Sequence, residues 1–342
     1  MDTKLASIKW GISSRRVRVL CANNQIPGAV LKGKSWIIPD DAEKPIDGRT
    51  VLKDLNLKQN SKYNSRDLSW IIRRHVIEMC KEGQSSHISS NMSQIDFLTA
   101  LYNNVLNLNP SNPKDENRDY FIMSKGHASA SLYALLAEIG FMPTADLITF
   151  DQNYSYLPGH VSKLCPGVEF SSGSLGHGLG YASGIAYALK RDHKSNKVFV
   201  LLGDGECDEG SIYEALNIAS MFKLDNLYVL VDVNKMSAMG YTKDIIDLEP
   251  LDEKFKAFRF DTYRVDGHNQ NRFLKALFEA FEIKDKPHVI ICDTIKGWPI
   301  KRMEDDILWH YRFPHVETGE YKEILDELNK YKPEGVKDPY EK

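Results

Sequence analysis

Gly203-Asp204-Gly205-Glu206 closes the apolar run Val198 to Leu202, and Asn234 stands just past a second apolar run, Leu227 to Val231. A strand ending in Gly-Asp-Gly, a helix, and a strand ending in Asn bring a carboxylate and an amide to neighbouring strand tips, where open α/β sheets bind ligands. Such a pair suits one hard cation, because magnesium takes oxygen ligands from one or two carboxylates together with phosphate oxygens. The glycines flanking Asp204 let a diphosphate approach the backbone closely. The same residues also read as a plain strand-to-helix turn with a capping aspartate; the second strand and its asparagine weigh against that.

Further segments stand in order on both sides: Ser86-His87, Met123-Ser124-Lys125-Gly126-His127, Pro158-Gly159-His160, Gly173-Ser174-Leu175-Gly176-His177-Gly178, Val231-Asp232-Val233-Asn234, Val265-Asp266-Gly267-His268 and Trp309-His310. Through them the chain resembles the thiamine-diphosphate-binding N-terminal half of transketolase, from about Leu68 to Pro314. The resemblance implies thiamine diphosphate and Mg²⁺ as cofactors. Asp204, Asn234 and the main-chain oxygen of Met236 would coordinate the metal. His127, Gly173, Leu175, His177, Gly203, Gly205 and Glu206 would join Asp204 and Asn234 in binding the cofactor. His177 matches a position that is His in split transketolases and Gln in many full-length ones.

The same resemblance places His87, His127, His160 and His310 along the cofactor and substrate channel as catalytic residues. Histidine suits proton transfer because its ordinary pKa lies near neutrality. Glu209, also assigned to catalysis, and Glu214 lie on an expected helix and match glutamates buried between subunits, whose proximity would drive their pKa values apart. A solvated helix face is the plainer reading of that pair. Three departures stand out: Ile88 where proline is usual, Lys235 after Asn234, and Ser237-Ala238-Met239-Gly240 in place of Ile-Asp-Gly, next to the cofactor's ring pocket.

The 342 residues, 42% of them hydrophobic, with a net charge of −3, fit a soluble chain larger than one core. A membrane span needs about 18 consecutive apolar residues, and none occurs. Met1 to Trp10 lacks the charged and apolar segments of a secretion signal, so a cytoplasmic location is expected. Five cysteines without a CxxC pair suit a reducing compartment and argue against structural zinc.

Residues 1–49 carry nine basic and five acidic residues, a balance of +4 against −7 for the remainder. That asymmetry suggests a separate module over residues 1–48. Leu5 to Trp10 reads as a helix, Gly11 as a turn, Ser13 as the N-cap of a second helix to Ala22, and Ala29 to Ile38 as a hairpin around Lys32-Gly33-Lys34. The pattern resembles the winged helix-turn-helix of the MerR and excisionase families. In that reading Arg15, Arg16 and Arg18 face a DNA major groove, and Lys32 and Lys34 touch phosphates. A basic protein-docking module is the alternative. Polar residues 49–66 read as a linker, 67–320 as the thiamine-diphosphate-binding domain and 321–342 as a tail.

Helical periodicity marks Leu68 to Lys81, Gln94 to Leu106, Leu132 to Ile139, Leu179 to Leu189 and Ile212 to Met221. Asp119 to Met123, Thr262 to Val265 and His288 to Cys292 read as further strands. The alternation predicts an α/β fold with a doubly wound, mostly parallel sheet. Family enzymes also need a second domain, which supplies an activating glutamate and binds the substrate phosphate. About 270 residues here are transketolase-like, so the chain is expected to be catalytically incomplete alone. The expectation is therefore a split enzyme, in an α2β2 assembly with a transketolase C-terminal subunit, that moves a two-carbon ketol unit between sugar phosphates, with pentose phosphates as the default. Within the cofactor's enzymes, deoxyxylulose-phosphate synthases and 2-oxo-acid dehydrogenases compete; residues 174–178 and Trp309-His310 favour transketolase over the dehydrogenases. A DNA-binding regulator that senses cofactor or sugar phosphate is the alternative outside enzymes.

Overall fold

The structure is a computed structural model that describes residues 1–11, 13–22, 26, 28–33, 35–40, 42 and 55–341. The chain separates into two units, Met1–Leu55 and Asn56–Lys342.

In the first unit, α1 (Thr3–Trp10) and α2 (Ser14–Ala22) precede an antiparallel hairpin of β1 (Val30–Lys32) and β2 (Ser35–Ile37). Asp2 caps α1 by accepting from the amides of Lys4 and Leu5, and Gly11 ends it in the left-handed region that only glycine enters cheaply. Ala6, Trp10, Val17, Leu20, Cys21, Ile26 and Ile38 form its small core. Arg15 and Arg18 are exposed, whereas the Arg16 side chain and Lys34 lie outside what the structure describes, as do residues 49–54 of the expected linker.

The second unit begins with α3 (Ser65–Glu82) and α4 (Ile88–Asn104). There follow β3 (Tyr120–Met123), α5 (Ser129–Ile139), α6 (His177–Arg191), β4 (Val198–Gly203) and α7 (Gly210–Met221). The chain continues through β5 (Leu227–Val233), α8 (Thr242–Ile245), α9 (Leu251–Ala257), β6 (Asp261–Asp266) and α10 (Gln270–Glu282). It finishes with β7 (His288–Asp293) and α11 (Glu320–Asn329). The strands pair in the order β3-β4-β5-β7-β6, all parallel. Every residue of β4 and β5 is buried, as expected for strands covered on both faces. One face packs Val198, Val200, Leu202, Val229 and Val231 against α6, α7 and α9, while α10 covers β6 and β7 on the other and leans on α4. Burying a Val or Leu side chain contributes about 1.5–3 kcal/mol. The register aligns Gly203 with Asp232 and Asp232 with Cys292, so the carboxyl ends of three central strands finish together.

Three expectations need correction. The helix read as starting at Gln94 starts at Ile88, since Ser89, Ser90, Asn91 and Ser93 are buried and hydrogen-bonded rather than looped out. The second half of the expected linker is fixed to the domain: the amides of Lys58 and Asn60 donate to the carbonyls of Asn104 and Asn103. The expected tail is packed on the domain over residues 321–341. Ile324 and Leu328 are buried, Arg74 pairs with Asp338 at 2.9 Å, and His75 meets Tyr340 at 2.8 Å. Among the described residues no helix is long and apolar enough to cross a membrane.

Candidate active site

A cleft of about 440 Å³ opens at the carboxyl ends of the sheet, its walls including His87, Lys125, His127, His160, Asp204, Asn234, Lys296 and His310. Asp204 follows the tip of β4 and accepts from the Gly205 amide at 2.9 Å and the Lys235 amide at 2.5 Å. Burial, helped by nearby Asp232, raises its pKa to about 7. A buried carboxylate so reluctant to ionise is one whose charged form gains from a cation. Asn234 turns its amide nitrogen to Asp232 at 3.1 Å, and its oxygen accepts from the Met236 amide at 3.2 Å. Asp204, Asn234 and Met236 thus line one cleft with oxygen donors, the set a hard cation takes. Beside them Gly205 leaves the backbone bare; a Cβ there would come within 3.3 Å of Ser237.

Glu206 reaches inward from the same turn. Its carboxylate accepts from the Ser124 hydroxyl, the Gly176 amide at 2.8 Å and the Gly203 amide at 3.1 Å. It therefore ties β3, the 173–178 loop and β4 together from below. Gly176 is left-handed (φ 83°), and a Cβ there would meet Ser211 Oγ at 2.5 Å.

Four histidines gather at the other end. The ring of His87 lies 5.2 Å from His127, 5.8 Å from His160 and 4.7 Å from His310, centroid to centroid. His87 is left-handed (φ 68°), a conformation held by its amide's hydrogen bond to the His310 carbonyl at 3.0 Å. Burial lowers its pKa to about 4 and that of His310 to about 3, with neighbouring cations adding to both shifts. His127 is also driven well below 6.5, by burial first and then Lys125. All three rings are neutral at physiological pH.

Two fully buried lysines lie beneath. Lys125 Nζ pairs with Asp232 at 2.5 Å, and Asp232 also accepts from Ser93 at 2.7 Å and Thr294 at 2.5 Å. Lys296 Nζ donates to the Met236 carbonyl at 3.3 Å and lies 3.1 Å from His310 Nδ1. Burial lowers its pKa to about 8. With Lys296 as donor, His310 Nδ1 is the acceptor and its Nε2–H is the donor left over.

The family described as "Transketolase, thiamine diphosphate binding domain" matches residues 65–310. The chain belongs to the transketolase thiamine-diphosphate-binding family. It is 40% identical over 260 residues to an apulose-4-phosphate transketolase subunit from Actinobacillus succinogenes, covering 75% of this chain and 94% of that one. To the 6-deoxy-6-sulfo-D-fructose transketolase subunit SqwG of a Clostridium species it is 37% identical, covering 66% and 83%. The transketolase structure of Campylobacter jejuni superposes with a TM-score of 0.73 at 30% identity, over 78% of this chain but only 42% of that one. The family match leaves out the first unit.

Against this transketolase frame, the structure brings His87, His127, His160, Gly173, Leu175, Gly203, Asp204, Gly205, Glu206, Glu209, Asn234, Met236 and His310 to one cleft. His177 is different: it is exposed as the first residue of α6 and does not line the cleft. Glu209 precedes α7 as its N-cap instead of sitting on the helix, and in the single chain both it and Glu214 are exposed. Sequence reasoning misses Lys125 and Lys296 as site residues because lysine in a sequence reads as surface. The available signal is their place two and three residues past a strand tip and beside glycine, in Lys125-Gly126 and Lys296-Gly297.

Proposed function

We infer that this chain is the thiamine-diphosphate-binding subunit of a two-subunit transketolase that transfers a two-carbon ketol unit between sugar phosphates. The observation that carries the reading is coverage: the chain matches 94% of the Actinobacillus transketolase subunit but 42% of the Campylobacter transketolase. A second subunit, in an α2β2 assembly, would complete the site. Relatives named for apulose 4-phosphate and for 6-deoxy-6-sulfo-D-fructose make apulose 4-phosphate or a sulfonated sugar as ready a substrate as a pentose phosphate.

Mg²⁺ would be held by Asp204, Asn234 and the Met236 carbonyl, with Gly203 and Gly205 leaving room for a diphosphate. Gly173, Leu175 and His127 flank the same space, and Glu206 supports it from below. Thiamine diphosphate, when bound, supplies the electron sink that makes cleavage beside a ketose carbonyl feasible. The protein's part is to bind, orient and manage protons. Neutral His87 can accept a proton from a sugar hydroxyl or donate a hydrogen bond to it, whereas His310, with its Nδ1 taken by Lys296, donates through its Nε2–H. Lys296 fixes which nitrogen of His310 faces outward. His160, exposed at the mouth, can meet the substrate as it enters.

A coupled ketol-transfer assay with Mg²⁺ and thiamine diphosphate tests this, offering xylulose 5-phosphate and apulose 4-phosphate as donors with ribose 5-phosphate or glyceraldehyde 3-phosphate as acceptor. Turnover is expected only with the C-terminal partner and is abolished by Asp204→Ala. Cofactor binding without turnover on any sugar would sink the transferase reading and favour a sensor.

For the first unit we propose a separate role in tethering or DNA binding. Two short helices joined by a left-handed Gly11 turn, exposed Arg15 and Arg18, and a hairpin support it. A single module of this size binds weakly, with useful specificity coming from a dimer. Fluorescence anisotropy with duplex DNA at two salt concentrations decides it: absence of salt-sensitive binding leaves the tether.

A further inference from the structure

The segment of residues 236–246 contains the Ser237-Ala238-Met239-Gly240 departure from the family pattern, and hydrogen bonds set its position. It stands between two cavities. Met236, Ser237, Ala238, Met239 and Ile245 face the 440 Å³ cleft, together with Thr242. Tyr241, Thr242, Lys243 and Ile246 face a second cavity of about 360 Å³ behind it, shared with Leu251 and Asp305. With space on both sides, packing alone fixes little: Met239 is 79% exposed, and Tyr241, Ile245 and Ile246 are exposed too. Close-packed interiors hold their residues by contact on every side. This partition lacks that.

It is held instead by hydrogen bonds to the segment that carries His310. Tyr311 Oη donates to the Ala238 carbonyl at 2.6 Å, and Tyr241 Oη donates to the Asp305 carbonyl at 3.3 Å. Between them, Lys296 Nζ reaches the Met236 carbonyl at 3.3 Å and His310 Nδ1 at 3.1 Å. Within the segment, the Ser237 amide donates to Gly240 and the Thr242 amide to Lys235, so it moves as one turn. The Tyr311 ring also meets the His310 ring edge-on at 4.9 Å.

We propose that Tyr311, assisted by Tyr241, is a positioning residue. It latches residues 236–246 to the 305–311 segment, fixing at once where the Met236 carbonyl points and where the His310 ring sits. This rests on the reading of Met236 as a metal ligand for its functional consequence, but the latch itself does not.

The test compares wild type, Tyr311→Phe and the Tyr241→Phe/Tyr311→Phe double variant. Loss of a hydroxyl from an exposed ring leaves the fold intact, which equal melting temperatures would show. In the full chain without cofactor, amide hydrogen exchange over residues 236–242 should speed up about threefold in Tyr311→Phe, and further in the double variant, with the rest of the sheet unchanged. Unaltered exchange there would overturn the latch. In the enzyme assembled with its partner, calorimetric titration should show thiamine diphosphate binding with a half-saturating Mg²⁺ concentration raised about threefold, the low end for one neutral hydrogen bond. Turnover at saturating Mg²⁺ and cofactor should return to wild type. An unchanged Mg²⁺ requirement beside faster exchange would reject the link to Met236. If wild type itself binds no thiamine diphosphate, the proposed function falls while the exchange result still decides the latch.

Discussion

Lys125 Nζ and Asp232 Oδ2 lie 2.5 Å apart with both side chains excluded from solvent, directly below the strand tips that frame the cleft. Burial alone would raise the Asp232 pKa, but Lys125, together with Thr294 and Ser93, outweighs it and holds the carboxyl below its ordinary range. Removing one partner of such a pair leaves an uncompensated buried charge and costs about 3–5 kcal/mol. Lys125→Met is therefore expected to lose stability of that order in urea denaturation of the chain. The Lys125→Met/Asp232→Asn double variant should recover part of the loss, whereas a loss equal to the sum of the two single ones would show that the pair is not coupled.

His87 and His310 make the fold sensitive to mild acid. Their folded pKa values, about 4 and about 3, lie below the ordinary 6.5. Between pH 6.5 and about 4 the unfolded chain takes up protons that the folded chain refuses. Stability is full above pH 6.5 and is lost as pH falls toward 4. Melting temperatures measured from pH 7.5 to 4.5 should fall on the acid side, and His87→Asn should flatten that fall. A variant with the wild-type slope would mean that His87 is protonated in the fold.

Much of this site is legible because each strand announces its own end. Val198 to Leu202 stops at Gly203-Asp204, and Leu227 to Val233 at Asn234, so parallel strands have to deliver those side chains to one edge. What stays hidden depends on distant partners. The start of α4 lies outside the helix read from Gln94, yet Ser93 is used by Asp232 and Ser89 by the Trp309 carbonyl, residues far along the chain. A helix buried on every side also loses its hydrophobic period, so Ile88–Asn104 gives little amphipathic signal. Lys125 and Lys296 contradict the usual surface lysine for the same reason. Residues 321–341 look dispensable until Arg74, Glu78 and His75 supply partners for Asp338, Tyr321 and Tyr340.

Asp204 works against stability in the metal-free chain. Its folded pKa of about 7 exceeds the ordinary 3.8, chiefly because it is buried and secondarily because Asp232 is near. Its contribution is full below pH 3.8 and is lost as pH rises through 7, where the ionised carboxylate must stay buried. Asp204→Asn removes that charge but spoils one of the two amide contacts, to Gly205 or Lys235. The metal-free variant is expected to be more stable than wild type at pH 8 by about 1–3 kcal/mol, with the difference closing toward pH 4. Adding Mg²⁺ and thiamine diphosphate should raise the melting temperature of wild type alone. A variant less stable than wild type at pH 8 would show that Asp204 is not strained there.

Glu206 offers the sharpest test of the site's framework. Its two oxygens accept three donors, from Ser124, Gly176 and Gly203. Glu206→Gln keeps the size but replaces one acceptor oxygen with an NH₂ group. Either orientation of the amide points donor at donor: one faces the Gly203 amide, the other faces both Ser124 and Gly176. Flipping cannot cure it, so the substitution should cost about 1–3 kcal/mol, the penalty of a buried unsatisfied group. Ser124→Ala leaves the two amide bonds to Glu206 but strips the Gly178 amide of its acceptor at 3.0 Å, one unsatisfied group against the forced donor clash, and so should cost no more than Glu206→Gln. If denaturation ranks the two variants the other way, the carboxylate is not what holds β3, the 173–178 loop and β4 in register beneath the cleft.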